Sequence, residues 1–310
     1  MNTLNRMATE LVDEAIDFAD ELTIDVHSLE GDAAVLDFGV DIPGAVEAGL
    51  VLAELQTAGL ATVQTGMDRV ADAPLTHVEL ATDHPALALL CSQKGGWEVA
   101  TDDVEGLGSG PARALVAEED VFARIGYQED EQFAVLAIET DQLPNQAVAA
   151  QVAERTGVPE TGVFLPVFAT ASVTGSAVAA ARAAELAVFR LAELGFDPVS
   201  VLSASGRAPV APVAADEGAA MARTTDALAY GSEVHLTVDD SFDRFDEVPS
   251  IAGAEYGRPL EGVFESVDWD FTELPVELFG PAKVTIDVVG GDTHAVGETS
   301  EDVLAESFGL

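Results

Sequence analysis

A chain of 310 residues that is 48% apolar can bury a large core, so the formal net charge of −43 does not mark a disordered polymer. Thirteen bases stand against 56 acids. That balance argues against nucleic acid and an anionic membrane as partners, and it suits a hydrated surface in a salt-filled cytoplasm. Lys94 and Lys283 are the two lysines; the other cations are arginines.

The first twenty residues carry Asp13, Asp17 and Asp20 at amphipathic spacing without a continuous apolar core, so a secretory leader is not expected. No uninterrupted apolar run approaches the roughly 18 residues that suggest a membrane span. Cys91 stands alone, which leaves no internal disulfide and no thiolate cluster. His27, His77, His84, His235 and His294 are scattered, and the His77–His84 spacing fits no zinc motif, so no metal is expected.

In chain order, the pattern predicts an amphipathic helix over residues 2–22, a strand over 33–40 that runs into a Pro43-Gly44 turn, and a helix over 47–60. Residues 78–80 and 86–92 are short, largely apolar runs on either side of a His84-Pro85 break, and 97–101 reads as a strand. Gly106-Leu-Gly-Ser-Gly-Pro-Ala-Arg113 follows, with proline placed to open a helix. Free N–H groups at such a start welcome an anion. Pro111 stands where a dinucleotide fingerprint needs glycine, and no lysine follows to make a P-loop. An ordinary tight turn and an anion cradle both remain open.

The acids at 118–120 and 129–131 read as solvated segments, residues 133–139 as a strand, and 144–156 as a helix closed by Gly157. Residues 163–170, with Pro166 inside, suggest an edge or bent strand. Gly157-Val-Pro159 is the candidate hinge, which divides the chain near 160 into residues 1–160 and 161–310, with interweaving of the two allowed.

Residues 172–194 are predicted as one helix, with Ser172, Thr174 and Ser176 as candidate caps and Gly195 as its stop. Between Ala177 and Ala192 the exceptions to apolar character are Arg182, Glu185 and Arg190. A helix apolar nearly all round is buried, yet Arg182 and Glu185 share one face at three-residue spacing. Removing one partner of a buried pair costs about 3–5 kcal/mol. The pair is therefore either an internal salt bridge or the floor of a polar cavity.

Beyond it, the pattern predicts a strand near 199–203, a loop over 205–212, a helix over 216–230 and a strand over 233–238. An acidic loop spans 239–249, and the last ordered runs are expected at 271–279 and 283–289, before a Gly290-Gly291 turn. Helices and strands mixed in this way argue an α+β architecture. Lys94 lies in Cys91-Ser-Gln-Lys-Gly-Gly-Trp97, apolar before it and glycine-rich after it. It is either a surface lysine at a strand end or a compact ammonium retained for close approach to a substrate, which the forked guanidinium does not offer.

Five segments in order, Ser92-Gln-Lys-Gly-Gly-Trp97, Gly108-Ser-Gly-Pro-Ala-Arg-Ala-Leu115, Arg182-x-x-Glu185, Arg223-Thr-Thr-Asp-Ala-Leu-Ala-Tyr-Gly231 and Leu278-Phe-Gly-Pro-Ala-Lys-Val284, resemble the methenyltetrahydromethanopterin cyclohydrolase family nearly end to end. The resemblance implies two mixed α/β lobes enclosing a deep cleft, commonly a cytoplasmic homotrimer, and water addition to the methenyl bridge of a reduced pterin. It assigns catalysis to Glu185, Arg182 and Lys94, and substrate binding to Gln93, Ser109, Gly110, Thr224 and Asp226. The pterin is the substrate, and no cofactor is implied. Thr225 stands where that motif suggests an amide. A tetrahydrofolate carrier, or a protein that binds a reduced pterin or phosphate ligand without turnover, are the alternative readings.

The charge balance makes the first prediction. At 1 M salt the Debye length is about 3 Å, which suppresses repulsion among the acids. Dialysis to millimolar salt should abolish activity and dissociate any oligomer, followed by turnover and light scattering; full activity at unchanged mass contradicts a halophilic protein.

Overall fold

A computed structural model describes residues 3–267, 269 and 274–310. Two compact units emerge: one runs up to Ala61 and resumes over Leu87–Val178, the other comprises Thr62–Ala86 and the chain from Ala179 onward. A single cut near 160 is not where compactness divides, because the strand at 163–168 hydrogen-bonds inside the first unit's sheet.

The chain begins in the first unit with α1 (Leu4–Asp17) and α2 (Ala19–Leu22), then β1 (Asp25–Ser28), β2 (Ala34–Asp37) and α3 (Val46–Gln56). It supplies β3 (Thr62–Val70) and β4 (Ala73–Thr82) to the second unit and returns through a π-helix over Ala86–Gln93. Then come β5 (Trp97–Ala100), β6 (Glu105–Ser109), α4 (Arg113–Val116), α5 (Asp120–Ile125), β7 (Ala134–Val135), β8 (Ala137–Glu139), α6 (Gln146–Thr156) and β9 (Val163–Phe168). Helix α7 (Val173–Ala180) carries the chain out of the first unit.

The first sheet has the order β1-β2-β9-β8-β6-β5, with β7 also on β9. Pairs β2–β9 and β8–β9 are parallel, whereas β1–β2, β6–β8 and β5–β6 are antiparallel. The strands β2, β7, β8 and β9 are apolar on both faces, as strands covered on two sides must be. Leu36, Val135, Ala137 and Phe168 cluster with Leu4, Ala8 and Val12 of α1 and Leu52 and Leu55 of α3. Their strand neighbours Val35, Leu136, Ile138 and Val167 cluster with Val148, Ala149 and Val152 of α6.

In the second unit follow α8 (Ala183–Glu193), β10 (Val201–Pro209), α9 (Glu217–Gly231), β11 (Glu233–Val238), α10 (Glu261–Ser266), β12 (Lys283–Val288), β13 (Thr293–Gly297) and α11 (Glu301–Phe308). The sheet order is β13-β12-β11-β10-β4-β3, antiparallel except for β11–β12. Tyr230 of α9, Phe264 of α10, and Leu304 and Phe308 of α11 share one cluster.

The α+β class holds, and several local expectations change. The run at 86–92 is a π-helix, with Lys94 N–H donating to the Leu89 carbonyl five residues back. Strand β3 and helix α5 fall in segments too polar to read as ordered, and β10 continues through the Ala- and Gly-rich stretch at 205–209 taken for a loop. Strand β13 and α11 extend order past Gly291. Of the run expected at 271–279, residues 271–273 lie outside the described residues, as does Asn2 of the first helix.

Candidate active site

The helix predicted over 172–194 is two helices. It breaks at Ala181-Arg182, where Arg182 takes φ −91° and ψ 0°, in the sparsely populated bridge region, and serves as the N-cap residue of α8. Glu185 therefore sits in the first turn of α8, where the helix macrodipole favours negative charge. It is 1% exposed. Arg182 donates from Nε at 3.0 Å and pairs through Nη2 at 2.9 Å, both to Oε2. Both guanidinium contacts converge on one oxygen, and Oε1 takes no hydrogen bond from the described residues.

The sheet explains how this turn comes to be buried. Helix α8 lies on β10, β11 and β4, and Ala183, Ala184, Ala187 and Val188 are among its buried residues. Gly206 of β10 permits the approach: a Cβ there would stand 2.6 Å from the Ala184 backbone nitrogen. Small residues on both sides bring the start of α8 against the strand. Arg190, further along α8, is also buried and pairs with Glu277 at 3.5 Å.

Lys94, Gln93, Ser109 and Gly110 belong to the first unit. Lys94 follows the π-helix directly, and its Nζ donates to Glu119 Oε2 at 2.7 Å with the side chain 18% exposed. Gln93 is fully buried. Ser109, nearly buried at the end of β6, accepts a hydrogen bond from Gln56 Nε2 at 2.9 Å. Gly110 takes φ +99° and gives its N–H to the Ser92 carbonyl at 2.8 Å. The N–H groups of Ala112, Arg113 and Ala114 go to the carbonyls of Val135, Gly110 and Pro111. The glycine-rich stretch is thus a tight turn whose amides are spent on the backbone, ahead of a four-residue helix.

In the second unit, Thr224 is buried and its hydroxyl donates back to the Ala220 and Met221 carbonyls; Thr225 does the same to Met221. Asp226 is 1% exposed, accepts from the Leu260 N–H at 3.0 Å through Oδ1, and accepts from the Ser307 hydroxyl at 2.6 Å through Oδ2. It ties the start of α10 and the terminal helix α11 to α9. Burial pushes its carboxyl up to about 7, against which the Ser307 and Leu260 donors act.

Two residues carry no site role in the sequence pattern: Glu119, one of the acids at 118–120 that read as solvated, and the buried Arg113 that grips it, which stands there only as part of the Gly108–Leu115 segment. Their signal was present only in that an arginine follows Gly110-Pro111 and acids follow the arginine; the α4–α5 corner that joins them was not readable.

A buried carboxylate at a helix N-terminus, with one oxygen engaged by a guanidinium and the other taking no hydrogen bond from the described residues, is equipment for general-base chemistry on an α+β scaffold. The family model Cyclohydrolase (MCH) matches residues 3–308, and the chain belongs to this family. It is 59% identical over 310 residues to the methenyltetrahydromethanopterin cyclohydrolase of Halobacterium salinarum, covering all of both chains. Proteins of the same name from Methanocella arvoryzae and Methanocaldococcus jannaschii are 38% and 37% identical over 315 and 319 residues, with all of this chain and 99% of each relative covered.

Asp226 yields a pH prediction. A carboxyl raised from 3.8 to about 7 on folding binds more protons folded than unfolded between those values, so its contribution to stability is present below about 4 and is lost as pH rises toward 7. Relative to Asp226→Asn, the parent should lose thermal stability across that window at fixed high salt. Melting curves that stay parallel from pH 4 to 7 contradict this.

Proposed function

We propose that the protein adds water to the carbon bridging N5 and N10 of methenyltetrahydromethanopterin and gives the N5-formyl product reversibly, with Glu185 as general base. The Arg182–Glu185 pair at the start of α8 carries this reading, and membership of the cyclohydrolase family supports it. The methenyl carbon belongs to a delocalised cation and is already electrophilic, so the chemistry needs no metal and no cofactor. A buried carboxylate attracts that cation and takes a proton from the attacking water, as the new C–O bond forms. As the C–N10 bond breaks, the adduct's hydroxyl proton is given up, the formyl C=O forms and N10 takes up a proton, so that one proton is released overall. A positioned base contributes about 10²–10⁴-fold.

Arg182 orients Glu185 through Oε2, which leaves Oε1 for the water. Lys94 supplies a point charge to the oxygen that develops on the carbon. Gln93, Ser109, Gly110, Thr224 and Asp226 were the expected substrate contacts. For Gly110, Thr224 and Asp226 the hydrogen bonds described above favour structural duty. The relatives' names favour methanopterin over folate as the carrier. With its turn amides spent, the Gly108–Gly110 stretch no longer motivates a phosphate-binding protein without turnover. A cytoplasmic homotrimer completes the reading, in keeping with the acidic composition and the family resemblance.

Glu185→Gln keeps the side chain's shape and removes the base. Followed by loss of the methenyl chromophore, kcat should fall about 100-fold or more while the circular dichroism spectrum shows the fold retained at the assay temperature. Turnover within a few-fold of the parent removes Glu185 from the role. The same assay with methanopterin and folate substrates tests the carrier.

A further inference from the structure

We infer that Glu119, gripped by Arg113, is a positioning residue that holds the Lys94 ammonium for the reaction; this rests on the role proposed for Lys94. Arg113 is 2% exposed. Its Nη1 donates to the carbonyls of Leu90 and Ser92, at 3.1 and 3.2 Å, in the last turn of the π-helix. Its Nε and Nη2 both donate to Glu119 Oε1, at 2.8 and 2.5 Å. The other oxygen, Oε2, accepts from Lys94 Nζ at 2.7 Å. A second donation, at 3.2 Å, goes from Nζ to the Gly95 carbonyl.

One carboxylate thus links a fixed guanidinium to a flexible ammonium, with one oxygen for each. In a chain with 56 acids any lysine will find a carboxylate nearby, and exposed pairs of that kind contribute little. Glu119 differs because its anchor is buried and tied to the backbone that presents Lys94. Arg113 also lies over the Phe122 ring, 5.4 Å from its centroid, which limits its own movement. A lysine stem has four rotatable bonds, and ordering them before substrate arrives removes that cost from the catalytic step.

The backbone is shaped to the same end. After α4 the chain turns through Ala117 at φ +50°, and Glu119 occupies the N-cap position of α5 without using its side chain to cap. The carboxylate folds back over Gly96, where a Cβ would stand 2.7 and 2.8 Å from its two oxygens. Any side chain at 96 would displace the gripped carboxylate. Gly96, part of the glycine-rich flank after Lys94, leaves room for it.

The experiment is a double-mutant cycle between Glu119→Gln and Lys94→Ala, read by kcat and by melting temperature in high salt. A second readout is the lysine spectrum of ¹³C-lysine-labelled protein, which holds two lysines and is assigned with Lys283→Arg. Glu119→Gln, which keeps an oxygen for Arg113, should lower kcat about tenfold in protein whose melting temperature stays above that of the assay. It should shift the Lys94 resonances and not those of Lys283, and have no further effect once Lys94 is alanine. A kcat within twofold of the parent overturns the inference, as does an equal loss with and without Lys94, the mark of a merely structural role. If Lys94→Ala itself turns over at the parental rate, the role proposed for Lys94 fails and the inference falls with it. If Lys94→Ala is impaired and Glu119→Gln is not, only the inference falls.

Discussion

Burying a carboxylate is the constraint on which the second unit's arrangement depends. Taking Glu185 out of water would be prohibitive without compensation, and three features provide it: the Arg182 guanidinium at 2.9–3.0 Å, the N-terminal end of α8, and a helix break that puts the residue in the first turn. Alanines on α8 and Gly206 on β10 let that turn lie directly against the sheet. Had the helix run unbroken, Glu185 would have met a mid-helix environment without free N–H groups, and the pair alone would have carried the whole desolvation cost.

The rest of the charge distribution follows the same economy. The surface is strongly acidic, and cations such as Arg207, Arg244, Arg258 and Lys283 pair with exposed acids on it, but four others are held inside. Arg113 and Arg190 are buried, Arg182 and Lys94 are largely so, and each meets a glutamate: Glu119, Glu277, Glu185 and again Glu119. Salt in the surroundings screens the outer acids, which leaves arginine free for internal geometry. Donating from three nitrogens in one fixed plane, as Arg113 does, is work for the planar fork and not for the single nitrogen of a lysine. That Lys94 was kept as a lysine beside such an arginine is the reason to look for a chemical rather than a structural use.

Much of this was readable in the residues because it depends on local pattern. The two charges in an otherwise apolar stretch marked residues 182–185, and the apolar strands of the first sheet stood out because both their faces are covered. What escaped depends on partners distant in sequence. Strand β3 is polar and exposed along much of its length and is a strand because β4 pairs with it across nine residues. The 205–209 stretch looked like a loop, and two antiparallel neighbours make it a strand. The π-helix before Lys94 has an unremarkable apolar sequence; its carbonyls are held by Arg113 and Gly110, twenty residues on. Asp226 was read as a substrate contact from a motif, whereas its bonds to Leu260 and Ser307 come from two separate segments that no motif announces.

The central claim is that one carboxylate, at the first turn of α8, takes the proton from the attacking water. The most direct measurement is chemical rescue at constant high ionic strength: turnover of Glu185→Ala as acetate replaces chloride. An exogenous carboxylate should restore a substantial part of the lost rate in proportion to its concentration, and should leave Lys94→Ala unrescued. Acetate that has no effect on Glu185→Ala, or that raises both variants alike, contradicts the assignment of the base.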